Sequence, residues 1–575
     1  MSINANYLYQ SEKLRFSCSQ CESCRGWLLA VLMAFFAAPM VTIAGVDIVF
    51  HHGKIVTVDG RFRVVEALAI EGERIVAVGS NKDVLKLAGP QTERVDLKGR
   101  TVIPGLMDNH AHFARGSQHW LLEVRWDGVT SRAQAVSMLR ERVSKVKPGQ
   151  WIAVLGGWSY DQFTDSQAPF TKAELDGIAP QNPLALQLIY VNGVVNTEAV
   201  KALGLNQTQA AIAGVKVQRD EKAEATGLIE GGGVASFYRN RIPMGDLNAQ
   251  IENVRAHLQA LNAMGLTTST DWGGYGFSEQ WYEPFQMLEK RHELSMRVFH
   301  GTWYNTNSAQ DVAITVEKIQ DLKPFQGSDY MDRIGFGETV LLGLHDNPGV
   351  ASSVSSENLA LWGKVVQAVA QRSMSFSVHA NQRESIQSFL GEIERINQVK
   401  PIRPLRWSFA HVRQLKSEDF VRMRALGMGA LVHSQANISG VMLQKVYGND
   451  ALDQPPLRLI QNSGLAWGLG SDSNGAAPSN PFYTLGWAVT GKMLGGKRVL
   501  RQTITREEAL IAHTRSNAYF VFRESYLGSL EPGKYADLLV LDRDYLSIPA
   551  DDIMKIKPLM TMVGGKRVFQ SPLLH

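Results

Sequence analysis

The sequence predicts an α/β protein built on a (β/α)8 barrel, and three observations support this prediction. Eight short apolar runs, most of them ending in a polar residue, alternate with amphipathic stretches through the centre of the chain. Two strand-rich segments flank that centre. The chain has 575 residues, of which 45% are hydrophobic and 20% charged. That composition is globular, and the length exceeds the roughly 250 residues of a bare barrel.

The eight apolar runs account for the strands of the barrel. They are residues 101–108, 266–271, 296–303, 333–339, 375–380, 406–411, 428–434 and 466–472. Stretches between them, such as 357–372 and 417–426, have the spacing of amphipathic helices. Because barrel enzymes carry their chemistry at the C-terminal ends of the strands, the polar residues that end these runs are candidates for a site.

The rest of the chain is organised around this barrel region, which we place at 101–520. Residues 46–100 and 521–575 are predicted to be rich in strands, and the sequence leaves open whether the two segments pair. Residues 113–262 form a long insertion after the first barrel strand. We expect this insertion to form a cap or lid, which is a common place for substrate recognition.

Residues 1–45 are interpreted as a leader for export. Lys13, Arg15 and Arg25 precede an apolar stretch at 27–38, and small residues follow it, which is typical of a secretory signal peptide. The expected location is therefore the periplasm. Two alternatives stay open: an uncleaved membrane anchor reaching residue 49, and a misassigned start that would leave the protein in the cytoplasm.

Cysteine content and charge exclude some classes of partner. All three cysteines, Cys18, Cys21 and Cys24, lie in the leader, without the second cluster that would complete a four-ligand zinc site. The net charge is only +4, and the basic residues are dispersed along the chain. We therefore expect no nucleic-acid partner, and no membrane contact unless the leader stays uncleaved.

His110 and His112 are the first candidate metal ligands. They lie two residues apart, directly after an apolar run, and residues i and i+2 of an extended backbone point to the same face. Two imidazoles could therefore reach one ion. A His-x-His pair is weak evidence alone, but four more residues of ligand type end other runs: Glu338, His379, His411 and Asp472.

Each of these four residues also has a simpler interpretation. Glu338 can be read as a solvated carboxylate in a loop, and Asp472 as the N-terminal cap of the helix that follows. His379 and His411 fit core histidines that bond to the backbone. Their occurrence as a set at successive strand ends favours metal ligands, with Asp472 also acting as general base.

With these residues the chain resembles the amidohydrolase superfamily, and within it the amidohydrolase-3 family of YtcJ-like, exoenzyme-type proteins. The matching segments are residues 97–112 (LKGRTVIPGLMDNHAH), 265–271, 379–380, 409–411, 469–472 and 528–538 (GSLEPGKYADL). The resemblance covers about residues 46–570. It implies a metal-bearing (β/α)8 barrel with a small β-sandwich built from both chain ends, and the same ligand set.

The resemblance also assigns roles and leaves the number of metal ions open. It implies that His110 and His112 bind the buried metal, that His379 and His411 bind a second or shared position, and that Asp472 both ligates and takes a proton from water. Many relatives carry a carboxylated lysine at the fourth strand. This chain has Glu338 there and no lysine in 333–345, so both one and two metal ions fit. Zinc suits the mixed imidazole and carboxylate set, with iron, manganese and nickel as alternatives.

The expected reaction is hydrolysis of a C–N bond in a small molecule, in an amide, carbamate or cyclic amide. Deamination is the alternative reaction, although Asn381 stands where such deaminases usually have a glutamate. A non-catalytic binding protein is the alternative outside enzymes. The sequence does not give the oligomeric state, and a homodimer is suggested only by analogy with other barrel enzymes.

Four residues are candidates for substrate contacts. His300, Trp303 and His433 lie near strand ends and could donate to an oxyanion, while Trp158 in the insertion suggests an apolar or aromatic substrate. Structural packing is the alternative for each. Many relatives carry a histidine within 189–196, and this chain has none there, so its substrate contacts are expected to differ.

Overall fold

A computed structural model describes residues 45–206, 214–274, 278–348 and 354–574. The predicted signal peptide and its cysteines lie outside the described residues. None of the helices within those ranges combines the length and the apolar character that crossing a membrane requires.

The strands of the described residues form four sheets. In chain order the strands are β1 (Ile48–His51), β2 (Lys54–Val56), β3 (Val64–Val65), β4 (Ala67–Glu71), β5 (Arg74–Gly79), β6 (Glu93–Asp96), β7 (Thr101–Pro104), β8 (Leu106–Asp108), β9 (Ile152–Leu155), β10 (Leu184–Leu188), β11 (Asn192–Val195), β12 (Lys216–Arg219), β13 (Ala225–Glu230), β14 (Leu266–Asp271), β15 (Arg297–Thr302), β16 (Met331–Glu338), β17 (Ser375–Ala380), β18 (Ser408–His411), β19 (Gly429–His433), β20 (Ala466–Gly470), β21 (Leu538–Leu541), β22 (Pro558–Val563) and β23 (Lys566–Gln570).

The α-helices of the described residues lie mainly between the barrel strands. They are α1 (Asn81–Val84), α2 (Phe113–Ser117), α3 (Arg132–Lys145), α4 (Lys172–Ile178), α5 (Thr197–Ala202), α6 (Val234–Arg241), α7 (Leu247–Ala263), α8 (Glu283–Lys290), α9 (Ala309–Asp321), α10 (Ser356–Gln371), α11 (Arg383–Val399), α12 (Ser417–Leu426), α13 (Ala436–Tyr447), α14 (Leu457–Asn462), α15 (Pro481–Thr490), α16 (Arg506–Ala512) and α17 (Arg515–Phe520).

Eight parallel strands form the predicted barrel. Their order is β8, β14, β15, β16, β17, β18, β19 and β20, so each strand pairs with the next one along the chain. The amide of Asp472 donates to the carbonyl of His110 at 2.8 Å, and Ala111 forms a parallel bridge with Ser473. These contacts join the last strand to the first, and the predicted fold class is confirmed.

The helices of the barrel follow the expected pattern. Helix α10 begins after Ser355, whose side chain accepts a hydrogen bond from the amide of Asn358. Its buried residues include Trp362, Val365 and Val369, which lie three and four positions apart and so share one face. The predicted helix at 417–426 is α12, with the same bounds.

The first apolar run divides at Gly105 into two strands. Strand β7 pairs with β2 and β21 of the sheet outside the barrel, whereas β8 pairs with β14 inside it. A side chain at position 105 would place its Cβ 2.2 Å from the Thr267 hydroxyl oxygen, so this crossing point has room only for glycine. One continuous run in the sequence therefore supplies strands to two different sheets.

The two strand-rich ends pair into one unit. Strand β7 lies between β2, from the N-terminal segment, and β21, from the C-terminal segment. A second sheet has the order β5, β4, β1 and β6. Phe50, Ile70, Val102, Leu538 and Met560 belong to one buried apolar cluster that draws on both sheets. The pairing that the sequence left open is therefore present.

The insertion has its own sheet and core. The sheet order is β12, β13, β11, β10 and β9. Trp126, Trp158, Phe163 and Phe170 belong to its buried apolar cluster. Helix α7, at the end of the predicted insertion, instead buries apolar residues in the barrel's own cluster. It is the helix that leads from the insertion into β14.

A buried ion pair fastens the barrel to the sandwich. Arg297 of β15 donates to Asp537 from Nε at 2.8 Å and from Nη2 at 3.0 Å, and the Arg297 side chain is fully buried. Asp537 directly precedes β21, and it also accepts the amide of Gly564 at 2.7 Å. This contact explains the position of the aspartate in the closing motif of residues 528–538.

We expect Asp537→Ala to destabilise the protein strongly. The change leaves a buried guanidinium without its carboxylate, which typically costs about 3–5 kcal/mol of unfolding free energy. Urea denaturation measures the loss. Asp551→Ala is the matched control, because Asp551 pairs with Lys492 at the surface and such pairs contribute about 0–1 kcal/mol. Equal losses in the two variants would contradict the role of Arg297–Asp537.

Candidate metal centre and active site

Six predicted ligands converge at the C-terminal mouth of the barrel. Each of them follows or ends a barrel strand, and each is buried. They are His110 and His112 after β8, Glu338 at the end of β16, His379 in β17, His411 at the end of β18, and Asp472 after β20.

Glu338 lies at the centre of this group. Its Oε2 atom is 2.9 Å from His110 Nε2 and 3.4 Å from His411 Nε2, while its Oε1 atom is 3.8 Å from His112 Nε2. Asp472 closes the other side, with Oδ1 3.2 Å from His112 Nε2. The donor atoms form two compact sets, one from His110, His112 and Asp472 and one from Glu338, His379 and His411.

Several polar atoms of the cluster have no hydrogen-bond partner among the described residues. They are both ring nitrogens of His110, Oε2 of Glu338, Nδ1 of His379 and Nε2 of His411. The close pair of Glu338 Oε2 and His110 Nε2 does not have the geometry of a hydrogen bond. Buried polar atoms are normally satisfied, and such exceptions indicate an ion or a water molecule. Imidazole nitrogens and carboxylate oxygens are ligands that divalent metals accept.

Carboxylates behind the histidines orient their rings. His379 Nε2 lies 3.0 Å from Asp346 Oδ1 and 2.7 Å from the Asp346 carbonyl, which leaves Nδ1 directed away from them. His112 Nδ1 lies 3.7 Å from Asp271 Oδ1. Partners of this kind fix the ring orientation of a metal-binding histidine.

Asp472 is itself held by a short relay of side chains. Gln435 donates from Nε2 to Asp472 Oδ2, and Arg413 donates to Gln435 Oε1. Gln435 lies at the start of α13, after β19, and Arg413 follows β18. The relay holds one carboxylate oxygen of Asp472 and leaves the other beside His112.

The ionisation of the carboxylates suits a cation site. Burial alone would raise the pKa of Glu338 and of Asp472, but the neighbouring histidines hold both pKa values well below the usual range. Burial lowers the pKa of His411 to about 4. Ionised carboxylates and neutral imidazoles are the forms that coordinate metal ions.

His379 departs from this pattern, because the Asp346 carboxylate raises its pKa against the effect of burial. His112 departs further. Burial and the charge on Arg115 would lower its pKa, but the nearby carboxylates of Asp271 and Asp472, together with the charge on Glu338, raise it to about 9. A bound cation would have to displace this proton.

Asp108 ties together the strand ends that carry these residues. It accepts the amide of His110 at 3.1 Å, the amide of Ser471 at 3.0 Å and the Ser471 hydroxyl at 2.5 Å. Burial raises the pKa of Asp108 to about 6. The contacts set the positions of His110 and Asp472, which follow on either side.

The structure separates the four predicted substrate contacts. His433 joins the histidine cluster, with Nδ1 2.8 Å from His411 Nδ1. His300 stacks on Tyr282 at 4.1 Å between ring centroids, and Trp303 packs on Gly273. Trp158 is 1% exposed within the insertion's aromatic core, edge-on to Trp126 at 4.7 Å. Contact of these residues with a substrate stays a prediction, beside the alternative of structural packing.

Some residues around the site were not singled out from the sequence. Asp108 and Asp271 end predicted strands, so the signal that selected the ligands was present for them as well. Asp346 and Gln435 follow barrel strands at less regular distances, and no spacing in the sequence marks them.

We expect Asp108→Ala to weaken the seam between β8 and β20. Three buried donors lose their acceptor, and unsatisfied buried donors cost about 1–3 kcal/mol each in unfolding free energy. Chemical denaturation should therefore show a lower midpoint. Asp450→Ala, at an exposed position, is the control and should leave the midpoint unchanged. A midpoint unaffected by Asp108→Ala would show that other contacts close the barrel.

Comparisons with known proteins agree with this architecture. Residues 93–569 match the model of the amidohydrolase family. The chain is 26% identical to Protein LONG AFTER FAR-RED 3 of Arabidopsis thaliana, over 91% of both chains. It is 23% identical to the N-substituted formamide deformylase of Arthrobacter pascens, over 90% of this chain and 97% of that protein. A solved structure of an uncharacterized metal-dependent hydrolase from Pyrococcus horikoshii superposes with a TM-score of 0.63 at 20% identity, covering 88% of this chain and 99% of that one. The chain belongs to the amidohydrolase family.

Proposed function

We propose that this protein is a metal-dependent hydrolase that cleaves the C–N bond of an amide, carbamate or cyclic amide in a small molecule. The observation that supports this most strongly is the convergence of His110, His112, Glu338, His379, His411 and Asp472 at one end of the barrel. Family membership supports the reaction class. Of the relatives, a formamide deformylase is named for C–N hydrolysis.

The ligand set fits one or two divalent cations, for which zinc is the proposed identity. The fit rests on buried donor atoms that have no hydrogen-bond partner among the described residues and on two ionised carboxylates close to the histidines. A divalent cation held here would supply Lewis-acid chemistry, lowering the pKa of a water molecule toward about 7.

Asp472 is proposed as the general base. Its carboxylate is ionised, and Gln435 holds Oδ2 so that Oδ1 is left beside His112. The carboxylate would take a proton from the attacking water and return it to the departing nitrogen, which needs that proton to leave as an amine. The buried surroundings exclude bulk water and strengthen these electrostatic interactions.

Glu338 is proposed to connect two cation positions. It belongs to the set with His379 and His411, and its Oε2 atom also lies 2.9 Å from His110 of the other set. A glutamate can take this bridging role without carboxylation, unlike a lysine. A two-ion centre is therefore the proposed arrangement.

Deamination gains no specific support from the site. Asn381 lies two residues after His379, and its amide nitrogen is 2.9 Å from His379 Nε2. An amide cannot act as the carboxylic acid that would protonate a ring nitrogen.

Elemental analysis combined with a substrate screen tests the proposed function. The purified protein should contain about stoichiometric divalent metal and should hydrolyse at least one compound from a panel of N-acyl amines, carbamates and cyclic amides. Chelation should abolish that hydrolysis, and added zinc should restore it. A folded protein that holds no metal would overturn the proposal.

Asp472→Asn should abolish hydrolysis while leaving the fold and much of the metal in place. The amide keeps the size of the side chain but cannot accept the proton, so we expect kcat to fall by about 10²–10⁴-fold or more. Steady-state kinetics and metal analysis on the same sample separate the two effects. Near-normal turnover would remove Asp472 from the role of base.

Glu338→Ala should lower the metal content from two ions toward one per chain. The variant removes the carboxylate that lies between the two donor sets. Metal analysis after dialysis measures the change, and Glu357→Ala, on the barrel's outer surface at the start of α10, is the control. Unchanged occupancy in the Glu338 variant would mean that Glu338 is not a ligand.

A further inference from the structure

A buried arginine that has no carboxylate partner among the described residues lies in the insertion. Arg239 of α6 is 5% exposed. Its side chain donates from Nη1 to the Arg115 carbonyl at 3.4 Å, and its Nε atom has no partner among the described residues. No aspartate or glutamate forms an ion pair with Arg239 in the described parts of the chain. A buried cation in this state is rare unless an anion compensates its charge.

The charges near Arg239 supply that compensation only in part. Burial and the positive charge on Arg115 lower the pKa of Arg239 to about 9, so it remains a cation at neutral pH. The carboxylate of Glu123 is the nearest acidic influence, but Arg125 Nη1 already donates to it at 2.8 Å. Arg125 also bonds Asp127. The three arginines of this group therefore face two carboxylates, which leaves one positive charge in excess, and no carboxylate of the described residues lies within ion-pair distance of Arg239.

A second buried arginine, Arg413, differs from Arg239 in the charges that surround it. Arg413 also lacks a carboxylate within ion-pair distance among the described residues, but it bonds Gln435, and the charges of Asp472 and Asp346 act on it. Its charge is therefore opposed by two carboxylates, which hold it in the relay behind Asp472. Arg239 is influenced mainly by other arginines and by Glu123.

The surroundings of Arg239 border the candidate metal centre. Arg115, whose carbonyl Arg239 contacts, is three residues after His112 and donates from Nη2 to the Tyr190 hydroxyl at 2.9 Å. The Tyr190 ring lies against Gly475, where a Cβ would come within 2.2 Å of it, and Gly475 is three residues after Asp472. Burial raises the pKa of Tyr190, and the charges on Asp472 and Glu338 add to this increase.

We infer that Arg239 and the Tyr190 hydroxyl form a subsite for a carboxylate group of the substrate. This inference rests on the proposed function and narrows it, because the substrate class becomes N-acylated or N-carbamoylated acids, with a carboxylate placed away from the C–N bond that is cleaved. A guanidinium offers planar, paired donors that match a carboxylate. One uncompensated cation fits a single negative charge.

Binding measurements can test this subsite without relying on turnover. Isothermal titration calorimetry on the purified, metal-containing protein compares N-acetylglycine with N-acetylglycinamide, which differ in the charge of one end. The wild-type protein should bind the acid at least about tenfold more tightly, as expected for a charge-assisted hydrogen bond in a buried site. Arg239→Gln should reduce this preference to less than about twofold, and Arg239→Lys should retain part of it.

Two further variants make the result specific. Arg241→Gln is the matched control, because Arg241 lies exposed on the same helix and should keep the full preference for the acid. Tyr190→Phe should lower the preference by about threefold to tenfold, through the loss of one hydrogen bond. It tests the subsite even if Arg239→Gln fails to fold.

The outcomes separate the subsite from the proposed function. Three results would overturn the subsite: equal binding of the two compounds, binding of neither, or a preference for the acid that survives in both Arg239→Gln and Tyr190→Phe. The third result would mean that the metal centre holds the carboxylate instead. Hydrolysis of neutral amides together with equal binding would reject only the subsite. Selective binding of the acid without hydrolysis of any compound in the panel would reject only C–N hydrolysis.

Discussion

The hydrogen bonds that Asp108 accepts from Ser471 and from the amide of His110 close the barrel at the point where its first and last strands meet. The residues placed by this contact are His110 and His112 on one side and Asp472 on the other. Since β8 contributes only Leu106–Asp108 to the barrel, the pairing of this short strand with β14 needs reinforcement at its end. The mutual position of the candidate ligands depends on this seam.

Charge balance is the second constraint on the site. Glu338 and Asp472 are buried and ionised, and the surrounding imidazoles hold them so. Unpaired atoms on His110, His379 and His411 add to the demand for a cation. Buried carboxylates are unfavourable unless counter-charges are present. Protonated His112 supplies one such charge, and a bound divalent ion would supply it in place of that proton.

The insertion brings charge of the opposite sign to the same region. Arg239 and Arg115 come from α6 and α2, and Tyr190 follows β10. The candidate metal centre lies at the ends of the barrel strands, and the arginines of the insertion lie beside it. This arrangement suits a substrate with two polar groups, one that reacts at the metal centre and one that binds the arginines. Remote anchoring of this kind supplies binding energy that orients the reacting bond.

The sequence by itself determined the barrel, its strand order and the six candidate ligands. Apolar runs of strand length ending in His379, His411 or Asp472 are local patterns, and the parallel barrel brings all strand ends to one mouth. The division of the run at 101–108 was not readable, because both halves are apolar and only the close approach of Thr267 to Gly105 separates them. The tertiary structure likewise decided the pairing of the chain ends and the support of His379 by Asp346. It also decided that no carboxylate of the described residues forms an ion pair with Arg239. Each depends on which distant segments come into contact, and no local period or spacing records that.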